Sequence, residues 1–485
     1  MTGIGHGDRT GKHAVVIGGG IGGLLAARVL SESFARVSVI ERDEPNSGAT
    51  PRRGVPQGHH THGLLARGRE IVEELFPGLT AELTDLGAVP CDIQDDCVWY
   101  NDGRRLYPAP SRLRGLAVSR PRLEDFLRAR VADLPNVEIR SRCEVVGLLP
   151  AAGGVRVRPA GGAEAEDVPA DLVVNACGRG RRGAAWLAEL GYRTPAEERV
   201  DSRLVYVTRE YRAHPGDADA TSILVAHGAA APRGGFAIRV EGDRWLITLL
   251  GMGDDVPPTD PDEYERFAAT LPIPDIHLLM RRLQPLGPPR LMRIPTSVRH
   301  RYERLRRLPK RYVVLGDALC RFNPSYGQGM TVAACQAIAL REALREGPDD
   351  VARRFFRLAA RIIDVPWDMG VCGDLRFPHV QGRRTPRVRL LNAYLAQVHV
   401  AAEDDPVVGE AFLSVVNMVA PPQSLFAPRL LRRVLRRRPE GARLVRHPAP
   451  VFAEDVLPSV PQLTGQETDM ETHATTRAAA APQGG

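Results

Sequence analysis

The sequence predicts an α/β fold with a second, antiparallel sheet and a helical C-terminal region. Three features carry that expectation. A buried-strand run, a glycine-rich turn and an apolar helix follow one another from Lys12 to Leu30. A second strand–turn–helix passage begins far downstream, at Arg311. Alternating or wholly apolar β-runs lie between the two, and from Thr331 onward the pattern becomes helical.

Bulk properties agree. A chain of 485 residues can build two or three domains around a large core. It is 43% hydrophobic and 25% charged, the balance of a globular protein. The net charge of +7 is modest for this length and does not call for nucleic acid. Seven cysteines (Cys91, Cys97, Cys143, Cys177, Cys320, Cys335, Cys372) are scattered without a CxxC pair. They predict neither a disulfide framework nor a zinc site, and they fit a reducing, cytoplasmic location. The early stretch AVVIGGGIGGLLAARVL holds too many glycines for a signal-peptide helix. No run approaches the length of an integral membrane span.

In KHAVVIGGGIGGLLAARVL, Ala14 to Ile17 is a short apolar run suited to a strand buried on both faces. Gly18, Gly20 and Gly23 follow at G-x-G-x-x-G spacing, and Leu24 to Leu30 continues as a helix. Gly18 permits a tight turn, Gly20 lets backbone approach a pyrophosphate, and Gly23 lets helix and strand pack closely. The helix N-terminus offers unpaired N–H groups to phosphate. A second β-run, Val37 to Ile40, ends at Glu41, an acceptor for a ribose diol. The pattern indicates a dinucleotide and does not separate FAD from NAD.

The second passage, RYVVLGDALCRFNPSYGQGMTVAACQAIAL, repeats the logic. Tyr312 to Leu315 reads as a buried strand, Gly316-Asp317 puts an acid at its end, and Gly327-Gln328-Gly329-Met330 leads into a helix. Asp317 suits a polyol hydroxyl, and the helix N-terminus suits the pyrimidine edge of a flavin.

Together these passages resemble the FAD-dependent aromatic-hydroxylase superfamily, with the p-hydroxybenzoate hydroxylase fold, over about residues 12 to 460. The resemblance implies a Rossmann-like FAD-binding domain, an antiparallel-sheet substrate domain and a C-terminal helical region. It assigns Gly18, Gly20, Gly23 and Glu41 to ADP, and Gly316 and Asp317 to the ribityl and pyrophosphate. It assigns Pro324, Gly327, Gln328, Gly329 and Met330 to the isoalloxazine, with Arg42, Arg53 and Val145 also at the cofactor. The family's R-x-x-L arginine corresponds to Arg120, with Leu123 three residues on and Ser119 as the helix cap. Asn175-Ala176-Cys177-Gly178 stands where the family has Asp-Ala-x-Gly, a departure that bears on direct NADPH handling.

The loop RRGVPQGHHTHGLL, Arg52 to Leu65, sets three histidines beside two arginines. It is similar to one branch, the actinobacterial polyether-type flavin epoxidases of the monensin and lasalocid type, at Arg52, Arg53, Gly54, Val55, Pro56, Gln57, His60 and His62. CGRGRRGAAWLAELG, RWLITLLG and APVFAEDVLP agree with that branch. Three readings stay open for the histidines. One is a metal site, disfavoured by the absence of nearby carboxylate or cysteine ligands and by arginine charge. Another is acid/base work by His60 or His62, with Gln57 as a further candidate. The third is bracing of the flavin pocket.

The expected organisation is FAD-binding residues 12–90, 119–198 and 301–345, interleaved with substrate-domain residues 91–118 and 199–300. A helical region at 346–464 and a disordered tail at 465–485 follow. Within the substrate domain Phe236, Trp245 and Leu249 are candidates to line the cavity, with Tyr326 from the flavin loop. PRLLRRVLRRRPEGARLVR reads as a helix with a solvated basic face, the alternative being a membrane surface or carrier protein.

The resemblance implies a monooxygenase that uses a C4a-hydroperoxyflavin, O2 and NADPH or NADH, delivered directly or through a flavin reductase. Its substrate would be a large apolar natural-product intermediate, free or on an acyl carrier protein, epoxidised or hydroxylated in secondary metabolism. An electron-rich alkene needs no protein base, whereas a phenol benefits from one; no firm catalytic residue follows. The alternatives are a reductase of polyprenyl double bonds and a flavin-binding accessory protein without turnover. Halogenation is disfavoured because the W-x-W-x-I-P signature of that branch is absent.

Overall fold

The computed structural model describes residues 10–436, except 45–47, 49, 53, 163, 180–181, 229–230 and 348. Arg53, the APVFAEDVLP stretch and the tail at 465–485 lie outside the described residues.

The N-terminal run forms the strand Gly11–Ile17, the middle of a five-stranded parallel sheet. The order is Tyr312–Val314, Leu172–Asn175, Gly11–Ile17, Phe34–Ile40, Val137–Arg140. Ala14, Val15 and Val16 have no exposed surface, so apolar residues at every position are what this strand requires. Helices Ile21–Leu30 and Gly329–Arg345 pack against each other in this core. Helix Arg120–Ala132 opens at Ser119, whose Oγ accepts the Arg122 N–H at 3.3 Å.

The larger sheet runs Cys320–Arg321, Arg290–His300, Glu197–Arg212, Arg244–Gly251, Arg233–Val240, Ser222–Val225, Cys97–Asn101, Arg104–Arg105. It is antiparallel except that Ser222–Val225 and Cys97–Asn101 pair in parallel. The region around CVWYNDGRRLYP thus enters the sheet from the far side of a long excursion, a crossover that strand periodicity does not reveal.

Alternation sorts this sheet into two faces. Val207, Trp245, Ile247, Leu249 and Ala237 join a separate core with helices Pro261–Ala269 and Asp275–Arg282. Tyr206, Leu250 and Phe236 pack instead with the core of the parallel-sheet domain.

The C-terminal region is helical: Val351–Asp374, Pro386–Ala402, Pro406–Val416 and Pro428–Arg436. In the last helix Leu430 and Val434 are buried and Arg433 pairs with Asp405 at 2.8 Å. Among the described residues no helix is long and apolar enough to cross a membrane.

Candidate functional site: a dinucleotide turn facing a glycine loop

The turn after the first strand is shaped by its glycines. Gly18 has φ +97°, and a Cβ there would lie 2.7 Å from the Ala176 carbonyl oxygen. A Cβ on Gly23 would overlap the Gly18 carbonyl oxygen, so helix and turn touch through backbone alone. Gly20 is different. Its φ of −78° and ψ of 179° suit any residue, and the nearest atom to a Cβ would be Arg52 Nη2 at 4.0 Å. Gly20 therefore faces open space at the N-cap of helix Ile21–Leu30, where no side chain caps the first N–H groups.

A buried ionic cluster walls this space. Glu41 Oε2 accepts the Gly19 N–H at 2.8 Å and Arg52 Nη1 at 3.0 Å, and Oε1 accepts the Asp43 N–H at 2.9 Å. Burial opposes the Glu41 charge, but Arg52 and the two N–H donors outweigh it and hold the carboxyl below its ordinary range. One acceptor direction on Oε1 stays available. Arg52 also donates through Nε to Glu124 Oε1 at 2.7 Å. Arg128 Nη2 donates to the Gly19 carbonyl at 2.6 Å. A groove lined by Thr50, Arg52, Arg120, Glu124 and Arg128 opens beside the cluster.

The downstream passage supplies the opposite wall. Gly316 (φ +68°) donates its N–H to Gln336 Oε1 at 2.7 Å, which turns the chain after the strand Tyr312–Val314. Asp317 Oδ1 would lie 3.9 Å from a Cβ on Gly329, so the acid and the loop share one side. The Arg120 guanidinium is drawn electrostatically to Glu124 and Asp317, and its buried Nε has no hydrogen-bond partner. Pro324–Tyr326 forms a single 3-10 turn, with Asn323 Oδ1 accepting the Ser325 N–H at 3.0 Å. Gly327 then takes φ +67°, and Gln328 caps helix Gly329–Arg345 without a side-chain bond. Gln328 Oε1 and Thr331 Oγ1 are buried without a partner. Two helix N-termini thus meet the same region, because Gly22 would place a Cβ 3.1 Å from Leu315 and 3.7 Å from Ala333.

The histidine loop bridges the two domains. His60 Nδ1 shares a hydrogen bond with Thr208 Oγ1 at 2.7 Å. The Thr208 and Thr248 hydroxyls lie 2.6 Å apart, and Thr61 Oγ1 donates to Thr248 Oγ1 at 2.8 Å. His62 Nδ1 bonds the His60 carbonyl at 2.9 Å. Burial first, then the charges of His59, Arg179 and Arg290, push His60 down to about 4. Burial first, then Arg120, pushes His62 down to about 3. Gln57 is half-buried, and its carbonyl accepts the His60 N–H at 3.1 Å. Among the described residues no group of three or more His, Cys, Asp or Glu is placed to hold a metal ion.

Two of the cavity-lining expectations need correction. Trp245 is 1% exposed and pairs with Tyr211 on the face covered by helices Pro261–Ala269 and Asp275–Arg282. Leu249 shares that face. Their apolar character serves a second core, and alternation turns them away from the flavin loop. Phe236 lies on the other face, paired with Thr248. Tyr326 is placed at the loop, with Oη donating to Asp374 Oδ1 at 2.9 Å. Arg42 is mostly exposed, and Val145 is buried in the small sheet built on Cys143–Leu148. Cys177 is half-buried, and burial pushes its thiol up. Asn175 is buried and engaged on both sides, accepting the Cys177 N–H at 3.1 Å and donating to Tyr312 Oη at 2.7 Å.

The open cradle at Gly20, the unpartnered atoms of Arg120, Gln328 and Thr331, and the uncapped helix N-termini fit a flavin dinucleotide. Residues 12–347 match the family model described as FAD binding domain. The chain belongs to this family, that of the p-hydroxybenzoate hydroxylase-like flavoprotein monooxygenases. It is 36% identical to protein Rv3254 of Mycobacterium tuberculosis over 425 residues, covering 83% of this chain and 88% of that one. It is 29% identical to a kynurenine 3-monooxygenase of Salinispora arenicola over 390 residues, 73% of this chain and 77% of that one. A flavoprotein/dehydrogenase of Cytophaga hutchinsonii superposes with a TM-score of 0.62 at 15% identity, over 86% of this chain and 95% of that one, and shares the fold.

Proposed function

We propose that this FAD-dependent monooxygenase transfers one oxygen atom to a large, mainly apolar small molecule, epoxidising or hydroxylating it. The observation that carries this reading is the convergence of the Gly20 cradle and the Gly327–Met330 loop on one region between the two domains. FAD, when bound, supplies the oxygen chemistry. The turn at Gly18, Gly20 and Gly23 would hold its pyrophosphate, Glu41 its ribose, and Arg120, Gly316 and Asp317 its ribityl chain. Pro324, Gly327, Gln328, Gly329 and Met330 would hold the isoalloxazine, with Arg42, Arg53 and Val145 nearby. The Phe236 face of the large sheet would cover the ring and exclude water. The likeness of the histidine loop to the polyether-type epoxidases supports an alkene-rich substrate. NADPH or NADH would supply electrons, directly or through a reductase; Asn175 is spent inside the fold and offers such a donor no free group.

The test is stopped-flow absorbance of the purified holoenzyme, reduced anaerobically and mixed with O2. A near-ultraviolet transient between the reduced and oxidised spectra, shortened by an added polyene or phenol, is expected. Direct return to the oxidised spectrum, together with product formed equally well without O2, would replace this reading by a flavin-dependent reductase.

A further inference from the structure

A dense patch of positive charge sits at the entry to strand Tyr312–Val314, whereas the flavin loop follows its exit. Cofactors of open parallel sheets bind at the exits of the strands, so the patch is no part of the flavin cradle. The connection from strand Arg290–His300 runs RYERLRRLPKR and exposes Arg304, Arg306, Arg307, Lys310 and Arg311 within eight residues. Helix Val351–Asp374 packs beside this connection. The Tyr302 and Phe356 rings stack at 4.9 Å, and Arg353 Nη2 donates to the Arg306 carbonyl at 3.4 Å. The helix adds Arg353, Arg357 and Arg361 at a spacing of four, which sets them in one exposed row.

The acids of this surface are engaged by other arginines. Arg299, 1% exposed, donates to Asp364 at 2.6 Å from beneath. Arg301 pairs with both Glu198 and Glu303. Arg304 shares Glu198 at 3.7 Å; the other seven cations have no ion pair among the described residues. Asp349 and Asp350 stay exposed at the start of the helix and do not offset seven charges. Like charges held this close repel one another, so folding by itself does not favour the patch.

We propose that the Arg306–Arg311 loop and the Arg353–Arg357–Arg361 row dock the enzyme on the surface of an anionic lipid bilayer. The charge calls for an anionic partner. The uncharged side chains decide which kind. Specific protein interfaces centre on aromatic or apolar anchors, and single-stranded nucleic acid stacks on exposed aromatic rings. Here Tyr302, Tyr312, Phe355 and Phe356 are all buried, and the helix exposes one large apolar side chain, Val365 at 38%. A row of arginines without anchors suits mobile headgroups, which need charge and no fixed shape.

The choice of lipid over duplex nucleic acid rests on the monooxygenase reading, because a bilayer concentrates the large apolar molecule that the reaction consumes. The fold connects the two places. The helix that carries the arginine row ends at Asp374, which accepts Tyr326 Oη beside the flavin loop at 2.9 Å. From Arg361 to Asp374 the helix rises about 20 Å. Docking on this face would therefore hold the flavin region within a short distance of the bilayer surface.

The test is sedimentation of the full-length holoenzyme with vesicles, either pure phosphatidylcholine or phosphatidylcholine mixed equally with phosphatidylglycerol. The wild type is expected to pellet with the anionic vesicles alone and to be released by added salt. The triple variant Arg353→Gln, Arg357→Gln, Arg361→Gln should lose vesicle affinity by about 100-fold, and the double variant Arg306→Gln, Arg307→Gln by roughly 25-fold. Both should keep their FAD and melt no lower than wild type, because neutralisation relieves repulsion. The double variant Arg432→Gln, Arg436→Gln, on helix Pro428–Arg436, should bind vesicles as wild type does. An equal loss in that variant would make bulk charge the cause and overturn the proposal. Undiminished binding in the two patch variants, or no binding of wild type to anionic vesicles, also overturns it. Tighter retention of wild type by duplex DNA than by anionic vesicles at the same salt would give the face to nucleic acid instead. Vesicle binding through the patch by an enzyme whose reduced form gives no transient with O2 strikes the monooxygenase reading and leaves the docking face standing.

Discussion

Gly20→Val and Gly23→Ala separate a cofactor lesion from a folding lesion within one turn. At Gly20 the backbone is extended, and nothing lies nearer to a Cβ than Arg52 Nη2 at 4.0 Å. The unliganded variant should keep its stability to within about 1 kcal/mol. The valine methyls would then occupy the space into which the first N–H groups of helix Ile21–Leu30 point. Two charge-assisted bonds to phosphate, each worth about 1.5–3 kcal/mol, would be lost. FAD affinity should fall by about 10²- to 10⁴-fold. At Gly23 the added carbon would overlap the Gly18 carbonyl oxygen, a backbone atom that cannot rotate aside. Overpacking of this kind costs roughly 1–3 kcal/mol even without ligand. The assay pairs calorimetry of the apoproteins with FAD titration followed by flavin fluorescence. Gly20→Val that binds FAD within tenfold of wild type, or that melts as Gly23→Ala melts, would refute this account of the turn.

Other outcomes follow from the buried titratable groups. Asp374 has a folded-state pKa raised from 3.8 to about 6, so its buried charge costs stability once pH rises through that value. Asp374→Asn should be more stable than wild type above neutral pH, by up to about 3 kcal/mol, with the difference closing in acid; denaturant unfolding across pH checks it. His60 moves the other way, from 6.5 down to about 4. The unfolded chain takes protons below 6.5 that the folded chain refuses, so stability should fall with pH in that window, by about 3 kcal/mol from this residue, and His60→Asn should flatten the slope. No limb of the pH–rate profile between 6.5 and 8 should belong to His60 or His62. Activity should survive exhaustive chelation, and loss that added zinc or iron restores would revive a metal role for the histidine loop.

The parts legible in the sequence are those written in backbone-limited positions. The two strand–turn–helix passages were marked by glycines: Gly18 and Gly23, where a side chain would strike backbone, and Gly316 and Gly327, where a positive φ favours glycine. The N-cap at Ser119 was legible for a similar local reason. Facing was not legible. RWLITLLG is apolar at almost every position and buried along its length, so its sequence does not say which residues face the flavin side, and Trp245 and Leu249 belong to the side that meets two later helices. The contact of Asp374 with the loop was not legible, because its partners Tyr326 and Asn323 lie 48 and 51 residues away in sequence. The pairing of Arg52 with Glu124, 72 residues away, is also non-local, and it ties the histidine loop to the helix Arg120–Ala132.

The three histidines beside two arginines resolve through this pairing and through burial. Arg52 is drawn away by acids at one end of the loop, and the other end enters the sheet through His60, Thr61, Thr208 and Thr248. Neutral imidazoles are what such a position demands, because a charged one would meet Arg120, Arg179 and Arg290 with little water to screen them. A loop fixed at both ends by short hydrogen bonds sets the distance between the glycine cradle and the Tyr206 face. His60→Ala should therefore loosen that spacing and reduce turnover more than it reduces FAD occupancy. Comparison of flavin content with the rate of substrate-dependent oxygen uptake measures both. Equal losses in the two would make His60 a cofactor ligand rather than a brace between domains.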